Sequence, residues 1–250
     1  MVLFIWYDEN DKNVEGRGEK MKMPMKVKGA IFDMDGTLID SLFFWDRFWQ
    51  SIAQRDSKNE GRLPDEALAK RVRTTTYPDA LRLVAEAYGI TDSSFFEEYL
   101  QFLKDFYRYE VTPKPGAEEI LLWLREQGIA ICLASASHKD NLEIALRAVG
   151  LREYIDSLHS CEEVGVGKER PDVFLKAADL MGISPAECCV FEDSFLALET
   201  AKAAGFHTVG VYDRYSYEQE RLRTASEIYL AKGQTLADLI GQIKFDDERL

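Results

Sequence analysis

The feature that most constrains the fold is a repeated unit, a short apolar run that stops at a cluster of polar residues and is followed by a segment with helical spacing. Residues 27–33 form the first run, bounded by charge before it and by Gly36 after it. Residues 129–134 form a second, residues 190–191 with Cys188 and Cys189 ahead of them a third, and residues 208–211 a fourth. Such runs suit strands buried on both faces, the pattern of a parallel sheet. Between them, apolar residues recur at helical spacing: Ala117, Ile120, Leu121 and Leu124, then Leu142, Ala145, Leu146 and Val149, then Phe174, Ala177 and Met181. The alternation predicts a doubly wound, mainly parallel α/β sheet. Its site would lie at the carboxyl ends of the strands, where the polar clusters sit.

Residues 42–111 break the alternation. They contain no convincing strand and carry aromatic-rich helical patterns, Leu42, Trp45, Trp49 and Ile52, then Phe96, Leu100, Leu103 and Tyr107. This stretch is expected to be a small helical insertion whose aromatic stripe packs its own interior. Pro113, Pro115 and Gly116 mark the return to the core. The expected organisation is therefore a core of residues 27–41 and 112–250, an inserted unit of 42–111, and a polar extension of 1–26 without fixed structure.

A chain of 250 residues can bury one good core and a modest second unit. No run approaches the about 18 apolar residues that a membrane helix needs. The formal charge of −13 argues against nucleic acid or an anionic membrane surface as partners, because both recruit clustered Lys and Arg. It leaves room for a small phosphorylated metabolite held by a local site, and no protein partner can be inferred. Cys132, Cys161, Cys188 and Cys189 lack metal-type CxxC spacing, and the adjacent pair is poorly placed to bridge, so a reducing cytoplasm is expected. His138, His159 and His207 are not clustered and are expected to be structural.

The first run ends in Asp33-Met34-Asp35-Gly36-Thr37, which sets two carboxylates at a strand end with a glycine that permits a tight turn. One carboxylate can attack phosphorus and the other can protonate a leaving oxygen, provided a divalent cation offsets the repulsion between carboxylate and phosphate. A lone DxDG is also an ordinary turn. Here Ser135, Lys168 and the pair Glu192-Asp193 follow later runs or lie in loops between elements, and each supplies a group that phosphoryl transfer requires.

In this order, strand-DMDGT, LASAS (133–137), GKERPDVF (167–174) and VFEDS (190–194) resemble the four motifs of the haloacid dehalogenase (HAD) superfamily, over residues 27 to about 211. The pattern is most similar to the branch of β-phosphoglucomutase-like and phosphoglycolate-phosphatase-like members, whose small helical cap follows the first motif. The resemblance implies a HAD-like Rossmannoid core with a cap, an Mg²⁺ cofactor and hydrolysis of a small phosphate monoester through an aspartyl-phosphate. It implies Asp33 as nucleophile, Asp35 as general acid and base, Ser135 as a hydrogen-bond donor to the phosphoryl group and Lys168 as its charge partner. Gly36, Thr37 and Ala136 would join Ser135 and Lys168 around the phosphate. Asp33, Asp193 and the backbone carbonyl of Asp35 would bind the metal, with Glu192 binding directly or through water. Ala197 stands where many relatives have glycine.

Two other readings remain. A β-phosphoglucomutase-like mutase shares every core residue, but those mutases carry a histidine where this chain has Trp45. A non-catalytic phosphate or metal binder would be expected to have lost a core group, and none is missing.

Overall fold

Gly29, Ala30, Ile31 and Phe32 are all buried, which suits a central strand covered on both faces. The computed structural model describes residues 26–55, 62–73 and 75–245. The chain opens with β1 (Lys26–Val27), β2 (Gly29–Phe32) and β3 (Ile39–Asp40). It continues through α1 (Phe44–Arg55), α2 (Glu66–Arg73), α3 (Tyr77–Tyr88) and α4 (Phe95–Tyr109), and returns at β4 (Thr112–Pro113). Alternation then resumes with α5 (Ala117–Glu126), β5 (Ala130–Ser135), α6 (Lys139–Ala148), β6 (Ser157–Ser160), α7 (Asp172–Met181) and β7 (Cys188–Glu192). It ends with α8 (Phe195–Ala203), β8 (His207–Val211), α9 (Gln219–Ala225), β9 (Ile228–Leu230) and β10 (Lys244–Phe245).

Six strands form one parallel sheet in the order β6-β5-β2-β7-β8-β9. Ala30 and Phe32 pack in a cluster with Ile120, Leu121 and Leu124 of α5 and Leu142, Ala145 and Leu146 of α6. Ile31 lies in a second cluster with Phe174 and Ala177 of α7 and Ala197 and Ala201 of α8. The sheet is thus doubly wound and mainly parallel, as the alternation predicts. After β2 the chain builds outward first through β5 and β6, then through β7, β8 and β9. The reversal leaves a crevice at the carboxyl ends of β5, β2 and β7.

Several details depart from the sequence reading. β6 and β9 were not foreseen: Ser157–Ser160 is a polar edge strand, and β9 has only three residues. The expected extension over 1–26 lies, except for Lys26, outside the described residues, and Lys26 belongs to β1. Among the described residues between Phe44 and Tyr109 there are helices and no strand. Their buried faces are offset from the expected stripes. In α1 the buried residues are Phe44, Phe48, Trp49 and Ile52, while Leu42 precedes the helix and Trp45 packs at the edge. In α4 they are Phe95, Tyr99, Leu103, Phe106 and Tyr107, and Phe96 and Leu100 are exposed. An aromatic-rich helix offers two overlapping apolar stripes one residue apart, and spacing alone does not choose between them.

The two crossings between the sheet and these helices pair as the antiparallel strands β3 and β4, with Ile39 opposite Pro113 and Asp40 opposite Thr112. Gly116 follows, with φ +81°, and a Cβ there would meet the backbone N of Ala237 at 2.3 Å. A side chain at this position would suffer both the left-handed backbone penalty and a backbone clash. Gly116→Ala is therefore expected to lower the unfolding free energy by about 2 kcal/mol or more, read by urea titration. An unchanged midpoint would contradict this packing.

Candidate active site

Phe32 of β2 and Phe191 of β7 face each other in register and stack with ring centroids 4.0 Å apart. The Asp33 N–H donates to the Phe191 carbonyl at 2.9 Å, which extends the pairing by one residue. Asp33 thus emerges beside Glu192 and Asp193, and β5 on the other side ends at Ser135. Lys168 comes from the loop between β6 and α7. Its Nζ donates to Asp33 Oδ1 and, at 2.5 Å, to Glu192 Oε1.

Asp33, Glu192 and Asp193 are buried, and one ligand oxygen from each lies within 4.8 Å of the others. Among the described residues, Lys168 is the only cation ion-paired with this group. Burial and the charge of Asp33 push Glu192 up to about 7, against the pull of Lys168. Burial, then the charges of Glu192 and Asp33, push Asp193 well above the carboxylate range. Buried negative charge in excess of its counter-charge, presented by hard oxygen donors, fits a divalent cation. Asp193 is held by two hydroxyls, since Thr37 Oγ1 donates to Oδ1 at 3.3 Å and Ser216 Oγ to Oδ2.

The Asp35 side chain points elsewhere. Ser41 Oγ donates to Oδ1 at 2.7 Å, Ser137 Oγ to Oδ2 at 2.9 Å, and the Tyr107 hydroxyl to both oxygens at 2.9 and 3.1 Å. Burial and then the Asp33 charge raise Asp35 to about 6, with the three hydroxyls acting in opposition. Burial holds the Tyr107 hydroxyl well above its usual range, so it remains a donor. Gly36 has φ +84°, and a Cβ there would lie 2.8 Å from Asp193 Oδ2. Its N–H bonds the Ile39 carbonyl at 3.0 Å, and the Thr37 N–H bonds that of Met34 at 3.3 Å. The backbone donors of Gly36 and Thr37 are thus spent on the turn. Ser135 is buried and accepts the Ser137 N–H at 3.1 Å, and Ala136 beside it is exposed.

A family model for haloacid dehalogenase-like hydrolases matches residues 27–205. The chain belongs to that family. Hexitol phosphatase B of Escherichia coli K12 is 32% identical over 203 residues, 76% of this chain and 86% of that protein. Beta-phosphoglucomutase of Bacillus subtilis 168 is 28% identical over 199 residues, 74% and 83%. The crystal structure of a beta-phosphoglucomutase from Clostridium difficile superposes with a TM-score of 0.64 at 21% identity, covering 85% of this chain and 93% of that one, which speaks to the fold alone. This HAD hydrolase thus has both a phosphatase and a mutase among its relatives.

Sequence reasoning did not find Ser41, Tyr107, Ser137 or Ser216. Ser137 lies inside the LASAS stretch, and Tyr107 was absorbed into the aromatic stripe. Ser216, on the loop after β8, carries no sequence signal. The histidines stay outside the cluster: His159 bonds Ser157 at 2.9 Å, His207 bonds Glu227 at 2.9 Å, and His138 caps α6. None of the four cysteines is in a disulfide, and no helix among the described residues is long and apolar enough to cross a membrane.

The crowded carboxylates set a pH dependence. Asp193 has a raised pKa when folded, so the native state binds the extra proton, and ionising it at higher pH destabilises the metal-free protein. In EDTA, Asp193→Asn is expected to gain stability over the parent as pH rises, and to lose that advantage as pH falls and acid supplies the parent with the same neutral group. Urea unfolding of both proteins over a series of pH values in EDTA reads the margin. A variant less stable than the parent throughout would contradict the charge balance described.

Proposed function

We propose that the protein is a Mg²⁺-dependent phosphatase that hydrolyses a small phosphate monoester, a sugar phosphate or similar metabolite, through an aspartyl-phosphate on Asp33. The observation that carries this reading is the separation of two carboxylates of one turn into different surroundings. Asp33 joins Lys168 and the acidic cluster, whereas Asp35 is drawn into a set of hydroxyls. Paired carboxylates in distinct environments suit distinct roles.

In this scheme an Asp33 oxygen attacks phosphorus as Asp35 gives its proton to the departing alkoxide. Asp35, now a carboxylate, takes a proton from water. That water attacks the phosphoryl group, which releases phosphate and restores Asp33. Lys168 orients Asp33 and offsets charge on the phosphate, and Ser135 with the Ala136 N–H completes the cradle. Gly36 and Thr37 act by shaping the turn and steadying Asp193. Mg²⁺ held by Asp33, Asp193 and the Asp35 carbonyl, with Glu192 adjoining, would supply electrostatic stabilisation of the transferring group. Residues 42–111 serve as a cap that selects the leaving group, hinged near 41–42 and 111–116, where β3 and β4 bring the crossings together. Four cysteines outside any disulfide suit a cytoplasmic setting.

A mutase is the second reading, supported by the B. subtilis relative. Trp45 speaks against it. Its indole packs on Phe44, Phe48 and Tyr77 at centroid distances of 5.4, 5.7 and 6.5 Å, and it cannot relay a proton as imidazole does. Incubation with a panel of sugar phosphates, including β-glucose 1-phosphate with a trace of glucose 1,6-bisphosphate, separates the readings. The expected outcome is phosphate release that needs Mg²⁺ and stops in EDTA. Rapid glucose 6-phosphate formation with little free phosphate would favour the mutase, and full activity in EDTA would contradict the metal assignment.

A further inference from the structure

Tyr107 is the third residue from the end of α4, only 5% exposed, and belongs to the inserted helices rather than to the sheet. A buried ring of this kind needs some acceptor for its hydroxyl, and a backbone carbonyl would serve. Instead its oxygen lies 2.9 and 3.1 Å from the two carboxylate oxygens of Asp35 and 3.1 Å from Ser137 Oγ. A rotation of Asp35 about its side-chain torsions would break both contacts together, so the bifurcated bond resists turning as well as displacement. The other two hydroxyls come from elsewhere. Ser41 stands at the entry to the inserted helices, and Ser137 lies on the core loop after β5, where Ser160 Oγ donates to its carbonyl at 3.0 Å. Asp35 is therefore held at once by the entry crossing, the core and the last inserted helix.

We propose that Tyr107 is a positioning residue that holds Asp35 where it can protonate the leaving oxygen, so the inserted unit contributes to the proton-transfer geometry as well as to substrate choice. This rests on the phosphatase reading above. The effect is specific: loss of the hydroxyl matters in proportion to how much the leaving group needs a proton, whereas a ring that only packs would affect all substrates alike.

The test uses the full chain with Mg²⁺ and two aryl phosphates of similar size in reach of the same site. Phenyl phosphate has a poor leaving group that needs an acid, and 2,4-dinitrophenyl phosphate has one that leaves without a proton. Tyr107→Phe keeps the ring and its packing. Single-turnover phenol release at saturating substrate should fall by about tenfold or more, with the half-saturating concentration and the release of dinitrophenol each within about twofold of the parent. Slowing of both releases by the same factor, or of neither, would overturn the role assigned to Tyr107. A parent enzyme that releases phosphate neither from these esters nor from the sugar-phosphate panel would instead overturn the phosphatase reading on which it rests.

Discussion

Lys168 bridging Asp33 and Glu192, with Asp193 close by, is the interaction on which the rest of the site depends. Buried carboxylates repel one another strongly once water is excluded, and a single ammonium cannot neutralise three of them. The fold tolerates this crowding by fixing each carboxylate with a separate partner. Lys168 takes one oxygen each of Asp33 and Glu192, the Ser194 N–H donates to the other oxygen of Glu192 at 3.0 Å, and Thr37 and Ser216 hold Asp193. What remains is a buried cluster of three carboxyl groups with one ammonium, and binding of a divalent cation would relieve the repulsion that the fold imposes.

The sheet is the reason these groups meet. The stacked pair Phe32 and Phe191 locks β2 to β7 in the register that brings Asp33 alongside Glu192, and helices on both faces make sliding costly. The inserted helices are joined to this rigid part through β3 and β4 and reach back to it at several points. Tyr107 contacts Asp35, and Arg73 reaches the Tyr215 carbonyl at 3.4 Å on the loop that also carries Ser216. Lys114, just past the return crossing, pairs with buried Asp213 of that same loop. The loop after β8 therefore touches the inserted helices, the crossing and the acidic cluster.

The parts of this arrangement legible in the sequence are those written as contrast. Apolar runs ending at Asp33, Ser135 and Glu192 mark strands and point their terminal polar groups to one end of the sheet, and the spacing of Ile120, Leu121 and Leu124 marks the face that α5 buries. Where contrast is missing, the reading slips. β6 is polar because it lies at the sheet edge, and α4 carries aromatics on two overlapping stripes, so Phe96 and Leu100 look like core and are exposed. The spacing assigns Tyr107 to packing because its ring does pack, and only the three-dimensional path of the chain brings its hydroxyl to Asp35, 72 residues away. Ser216 is similar, meeting Asp193 through a loop whose course depends on how β8 and α9 dock.

The central claim is that Asp33, among several carboxylates in reach, carries the phosphoryl group. Acid quenching of the enzyme during turnover of a phosphate ester, followed by borohydride reduction and peptide mapping by mass spectrometry, tests it directly, because reduction converts an acyl phosphate to an alcohol. The account predicts homoserine at position 33, seen only when substrate is present and lost in Asp33→Asn. Homoserine at Asp35 or Asp193, or unmodified Asp33 under conditions where phosphate is being released, would contradict it.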